Sequence, residues 1–234
     1  MPDGPARLLW RGHMPLETVR SAGLSGASGT LTALVAADGS ATHPYLSRLT
    51  SGVVPLRDLG DLAHQICLLH ARHPDLFEQA AAQSRQPAAA EWLAESVRAF
   101  AAERAYLVRI VAAAGPMPST PGQAASEAAV TAQRHALDML AQSDRNGCAD
   151  GTAIALALDW PRIRSVLDLL AGRLGIDPPA SQLPPVFETA TMIDALAGTL
   201  SVERAMVFGA QQMLAQHRGL IDLLEARASA RSDH

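Results

Sequence analysis

The chain contains no lysine: all 19 residues counted as Lys or Arg are arginine. Without a side-chain primary amine it cannot form a Schiff base, hold pyridoxal phosphate covalently or supply the lysine of a phosphate-binding P-loop. Cysteine is almost as scarce. Cys67 and Cys148 are the only two, and a pair so far apart assembles neither a zinc ribbon nor a disulfide framework. Aromatic residues make up 4% of the 234 positions and the formal charge is −4, so nucleic acid finds neither stacking platforms nor a basic footprint. No run approaches the roughly 18 to 20 uninterrupted apolar residues of a membrane span, and the first residues lack a basic region followed by an apolar run. The expectation is a cytoplasmic protein with no nucleic-acid partner, no membrane partner and no cofactor.

What the sequence does contain is the balance of a folded protein with a sizeable core, 48% apolar and 18% charged. Residues 1–42 are rich in Gly, Ser and Pro and read as an irregular arm, with one short helix over "PLETVRSAG" and strand-like alternation at "GTLTALVA". Gly23, Gly26 and Gly29 fall three apart but spell neither a dinucleotide-binding fingerprint nor a nucleophile elbow. Residues 43–234 read as one domain, because apolar residues there recur at three and four positions.

Helix punctuation divides that domain. "HPYLSRLTSG" gives a short helix ended by Gly52. A second follows with Pro55 near its first turn, and "HPDLFEQAAAQS" restarts with Pro74 in the same role and Asp75 and Glu78 at the positive end of the dipole. A long amphipathic helix ends at Gly115, and the next starts with Thr120 capping and Pro121 in the first turn. "GTAIALALDW" is apolar on nearly every side, which argues burial. Beyond it, Asp159 caps a new helix or Pro161 lies within one longer helix. "RLGIDPP" places Gly175 where a left-handed cap is wanted. After the linker 177–185 a final helical pair runs from Phe187 to Ala228, with "GTLS" as its break. The fold class is all-α, an up-and-down multi-helix bundle.

At about 100° per residue, several polar side chains fall on apolar helix faces. The row His64, Cys67, His70 and His73 is a spiral: His70 and His73 share the face of Leu62, Ile66 and Leu69, Cys67 flanks it, and His64 points to solvent with Asp61. Arg104 lies near the centre of the next long face with Glu103 at its border. Gln133 and Ser126 lie on another, His135 points outward, and His217 aligns with Met206, Met213 and Leu220 with Gln216 beside it. His70, Glu103, Arg104, Gln133, Gln216 and His217 are therefore the candidate ligand-binding residues, since buried polar groups cost one to several kcal/mol unless paired. Each could also be satisfied separately by backbone or by a neighbouring carboxylate.

A di-iron bundle needs Glu-x-x-His twice, and the chain has none. A mononuclear set from His70, His217 and Glu103 has no local spacing signature to test. The stretch "HPYLSRLTSGVVPLRDLGDLAHQ", residues 43 to 65, resembles the opening helices of the TenA and PqqC proteins of the haem-oxygenase-like superfamily, through His43-Pro44-Tyr45, Gly52 and Val54-Pro55-Leu56. The resemblance implies a haem-oxygenase-like bundle. It departs where TenA-like thiaminases carry an acidic residue (here Ile66), a cysteine nucleophile (Cys148 is nearby but flanked by loop residues) and a closing-helix glutamate (here Gln216 or His217).

Three functions compete. The bundle binds a small, largely apolar ligand or an organic acid in an interior pocket, the acid held by Arg104. Alternatively it is a cofactor-independent enzyme of the PqqC type with His70 and His217 as acid and base, or a structural or oligomerising bundle that buries a partner helix. The interior discriminates among them: a filled core favours the last, converging histidines in a cavity the second, and a cavity with one polar anchor the first.

Overall fold

A computed structural model describes residues 26–51 and 53–232. Among them lie nine α-helices, one 3-10 turn and no strand. The order is α1 Gly26–Asp38, a 3-10 turn Ser40–Thr42, α2 Pro44–Leu49, α3 Leu56–His70, α4 Leu76–Gln83, α5 Pro87–Ala114, α6 Gln123–Ala141, α7 Cys148–Arg173, α8 Val186–Leu196 and α9 Leu200–Ser232. The all-α bundle expected from periodicity is the fold found. No described helix is long and apolar enough to cross a membrane.

Local chemistry explains most boundaries. The His43 side chain caps α2 by accepting from the Tyr45 N–H, with Pro44 in the first turn. Asp75 and Glu78 form a reciprocal capping box that starts α4. α7 ends in a Schellman turn: Gly175 takes φ +72°, Ile176 N–H reaches the Ala171 carbonyl and Gly175 N–H that of Gly172. Pro161 lies inside α7, so "GTAIALALDW" and the residues after it form one helix.

α7 is the buried axis, and its most extensive pairing is with α9. Two glycines make this approach possible. A Cβ on Gly151 would run into the Met206 backbone, and one on Gly209 into the Cys148 carbonyl. The two backbones therefore touch where any side chain would hold them apart. α3, α5 and α6 close around this pair, and α8 packs on α5 and α1.

Several expectations are corrected. "GTLTALVA" is helical: α1 buries Leu31, and the Ser28 N–H and hydroxyl at its start both donate to Asp194 of α8 (3.0 and 2.9 Å). Packing against α7, α8 and α9 overrides the strand propensity of Thr and Val. Residues 26–42 thus join the bundle, while "PLETVRSAG" and Gly52 lie outside the described residues. Thr120 does not cap α6; Gly122 occupies that position at φ +75°. Cys148 is not in a loop but is the first residue of α7 and is buried.

Candidate functional site

The inward face of α3 places His70 at its last turn, and that of α9 places His217 opposite it; the two are 4% and 1% exposed. Their Nε2 atoms are 2.8 Å apart. The other nitrogen of His217, Nδ1, lies 2.7 Å from Asp159 Oδ2. Asp159 also accepts from the Ser40 N–H (2.7 Å to Oδ1) and hydroxyl (2.5 Å to Oδ2). Gly39 makes this reach possible, since a Cβ there would meet the Val35 carbonyl and Asp159 Oδ1. One buried chain, Ser40, Asp159, His217, His70, thus ties the 3-10 turn to α7, α9 and α3.

The electrostatics set the protons. Burial pushes the Asp159 carboxyl upward, but the hydrogen bonds from His217 and Ser40 outweigh it and hold the group below its ordinary range. Asp159 is therefore a carboxylate that accepts the His217 Nδ1 proton. Burial, and after it the facing His217, push His70 well below its ordinary value, so this ring is neutral. In the arrangement with both rings neutral, His70 Nε2–H donates to the bare Nε2 of His217. A third proton would convert the pair into an imidazolium facing the Asp159 carboxylate. The chain has the geometry of a proton relay, but its end is plugged: Phe100 and Trp160 meet the His70 ring edge-on with centroids at 6.1 and 5.8 Å.

A second buried group adjoins it through Trp160, whose indole N–H donates to Glu103 Oε2 at 3.0 Å. Arg164 NH1 lies 2.6 Å from both Glu103 oxygens, Arg164 Nε donates to Asp168, and its NH2 donates to the Pro179 carbonyl. The Tyr106 hydroxyl also donates to Asp168.

Of the six candidate residues, His70 and His217 meet as the helical faces implied. Glu103 and Arg104 exchange roles. Glu103 is in the core, whereas Arg104 sits on the flank of α5, with Nε 3.1 Å from Asp75 Oδ2 and NH1 donating to the Arg72 carbonyl. Gln133 and Gln216 meet at the α6–α9 seam, the Gln133 amide donating to the Gln216 backbone carbonyl at 3.4 Å. His135 is exposed as expected. His73 is exposed and pairs with Glu78 beyond the end of α3.

The mononuclear metal set is not assembled. Two imidazole nitrogens bound tetrahedrally to one zinc-like ion stand about 3.4 Å apart, more than the His70–His217 separation of 2.8 Å, and both Glu103 oxygens are taken by Arg164 and Trp160. Among the described residues no three His, Cys, Asp or Glu side chains are placed to hold a metal ion.

The α3 face expected to be solvated is buried at Asp61 and half-buried at His64. Asp61 is 0% exposed and accepts from Arg227 and Arg231, Arg231 also binds Asp58 and Thr120, and His64 donates to the Gly115 carbonyl. Sequence reasoning missed Asp61, Ser40, Asp159, Arg164, Arg227 and Arg231. The one readable signal was Asp159, the first acidic side chain after Asp150 in an otherwise apolar run.

Fold and site together define an all-α bundle pinned by buried histidine–carboxylate and arginine–carboxylate chains. The chain belongs to a family of unknown function, DUF6975, whose model matches residues 35–232. No curated protein and no solved structure matches it.

Proposed function

We propose that the protein binds a small, uncharged, largely apolar molecule in the groove between α2, the start of α3 and the end of α9. The observation that carries this reading is the Tyr45 hydroxyl. It is sealed from solvent and has no hydrogen-bond partner, on a residue 4% exposed that lines a groove of about 460 Å³. A buried hydroxyl left unmatched costs about 1 to 3 kcal/mol, which a ligand acceptor would recover once the groove wall over Tyr45 yields to admit it. The volume suits a small organic molecule.

The charges around the groove point to a neutral ligand. Arg48 pairs with Glu225, and Asp58 with Arg231. With Arg104 held at the Asp75 carboxylate, the reason to expect an organic acid in the interior disappears. Leu49, Val54 and Pro55 form an apolar wall, and the hydroxyls of Ser51, Ser229 and Ser232 that also line the groove already donate to backbone carbonyls, which leaves the unmatched Tyr45 hydroxyl to select a molecule with a carbonyl or hydroxyl.

The test is thermal unfolding against a panel of uncharged alcohols and amides, with amide chemical-shift mapping. Ligands that stabilise the wild type should perturb residues near Tyr45 and Ser229, and Tyr45→Phe should weaken them about tenfold. An inactive panel, hits that map elsewhere, or indifference to Tyr45→Phe would overturn the reading.

A second reading is acid–base catalysis by His70 and His217, favoured by the 2.8 Å and 2.7 Å contacts of the relay and by the TenA/PqqC-like opening of residues 43–65. It requires access to His70. Rapid carbethoxylation of His70 in the native protein would support it, and protection equal to that of the folded core would remove it.

A further inference from the structure

A second groove lies between α5 and α8, with a volume of about 560 Å³. Its floor is Trp92 and Met192, and Phe187 stands beside them 69% exposed. Glu91, Glu95 and Glu188 rim it, no basic residue lines it, and none of the three forms an ion pair with a described residue. An apolar trough edged by unpaired carboxylates selects an occupant that is apolar and cationic.

The chain itself supplies such a segment. Residues 5–14, "PARLLWRGHM", place Leu8, Leu9 and Trp10 between Arg7 and Arg11 with no acidic residue among them. The position where the described chain begins fits too. Gly26 opens α1 within 3.9 Å of Asp194 on α8, judged from where its Cβ would stand, and α8 is the helix that carries Phe187, Glu188 and Met192. Residues 15–25 span up to about 36 Å when extended, against about 16 Å for the full length of α8. We infer that the α5–α8 groove is the docking site of residues 5–14 of the same chain, whose apolar and cationic composition matches its apolar floor and glutamate rim. The groove is independent of the Tyr45 site and does not rest on that proposal.

The experiment is limited trypsin digestion of the full chain, following cleavage after Arg7 and Arg11 by mass spectrometry. Cleavage there should be at least about tenfold faster in Glu91→Gln/Glu95→Gln/Glu188→Gln and in Phe187→Asp than in the wild type, with opening governed by the docked fraction. As a measurement that needs no groove substitution, Trp10→Ala should shift the amide resonances of Thr191 and Met192. Equal cleavage rates together with unmoved resonances would overturn the proposal. So would protection that grows with protein concentration, because the segment in the groove would then come from a second copy.

Discussion

Truncating Asp159 would strand three donors at once: the Ser40 N–H, the Ser40 hydroxyl and His217 Nδ1–H. Each buried donor left unmatched costs about 1 to 3 kcal/mol, so Asp159→Ala should lower the urea midpoint severely, whereas Ser40→Ala, which removes a donor along with its bond, should cost about 1 kcal/mol. Tyr45→Phe has the opposite sign. Its hydroxyl is already unmatched, so the unliganded variant should be as stable as the wild type or more so. The pH dependence follows from His70, neutral when folded and protonated when unfolded below its ordinary value of 6.5. The unfolded state then binds the extra proton, so this contribution is fully present above that value and is lost as pH falls beneath it. Asp159, depressed when folded, adds its own loss only as pH drops below its ordinary 3.8. Urea midpoints should decline from pH 7.5 towards 5, and His70→Gln should flatten that decline; an equally steep decline in the variant would refute the assignment. His70 and His217 were legible because each sits on a stripe of large apolar residues. Ser40 was not, since a serine in a Gly- and Ser-rich stretch gives no sign that an aspartate 119 residues away will accept from it.

At the level of the helix, α7 and α9 stand so close that glycine is required at Gly151 and Gly209. Gly151→Ala should force the pair apart and cost at least about 1 to 3 kcal/mol, as overpacking does, although alanine is the better helix former. Calorimetry should show the lowered midpoint, and an unchanged one would mean that the helices separate freely. Element existence was readable for α3 to α9 because caps and breakers coincide with changes in periodicity. The inward face of α5 was misplaced by one position. Val97 and Val111 are large and lie on the Arg104 side of the helix, while Ala89, Ser96 and Ala99, which complete the buried stripe through Glu103, are too small to mark it. α1 was misread because its Thr and Val favour strands in isolation. Only its contacts with α8 and α9 make it a helix.

Across the whole molecule, the polar interior is organised as sealed chains rather than as one pocket. The largest, Asp61 with Arg227 and Arg231 and outward to Asp58, closes α3 against the end of α9. Its groups are almost entirely buried, so added salt reaches them poorly. The midpoint of thermal unfolding should change little between about 0.05 and 0.5 M NaCl, whereas Asp61→Ala should lower it sharply by leaving two buried guanidinium groups short of an acceptor. A strong salt dependence would show that surface pairs such as Arg48–Glu225 dominate instead. No sequence pattern could announce this network, because its partners lie more than 150 residues apart and Asp61 alternates with apolar neighbours as a solvated residue does.

The central place of α9 has a consequence for how the protein comes into being. It supplies His217 to the relay, Arg227 and Arg231 to the Asp61 seal and the Gly209 surface to α7, yet it leaves the ribosome after the eight other described helices. Until it arrives, α7 has an apolar flank and Asp61 an uncompensated charge, and the nascent chain can collapse but cannot close. Completion of the native core therefore waits for α9, and stalled or shortened chains that stop before His217 should be the ones that chaperones retain.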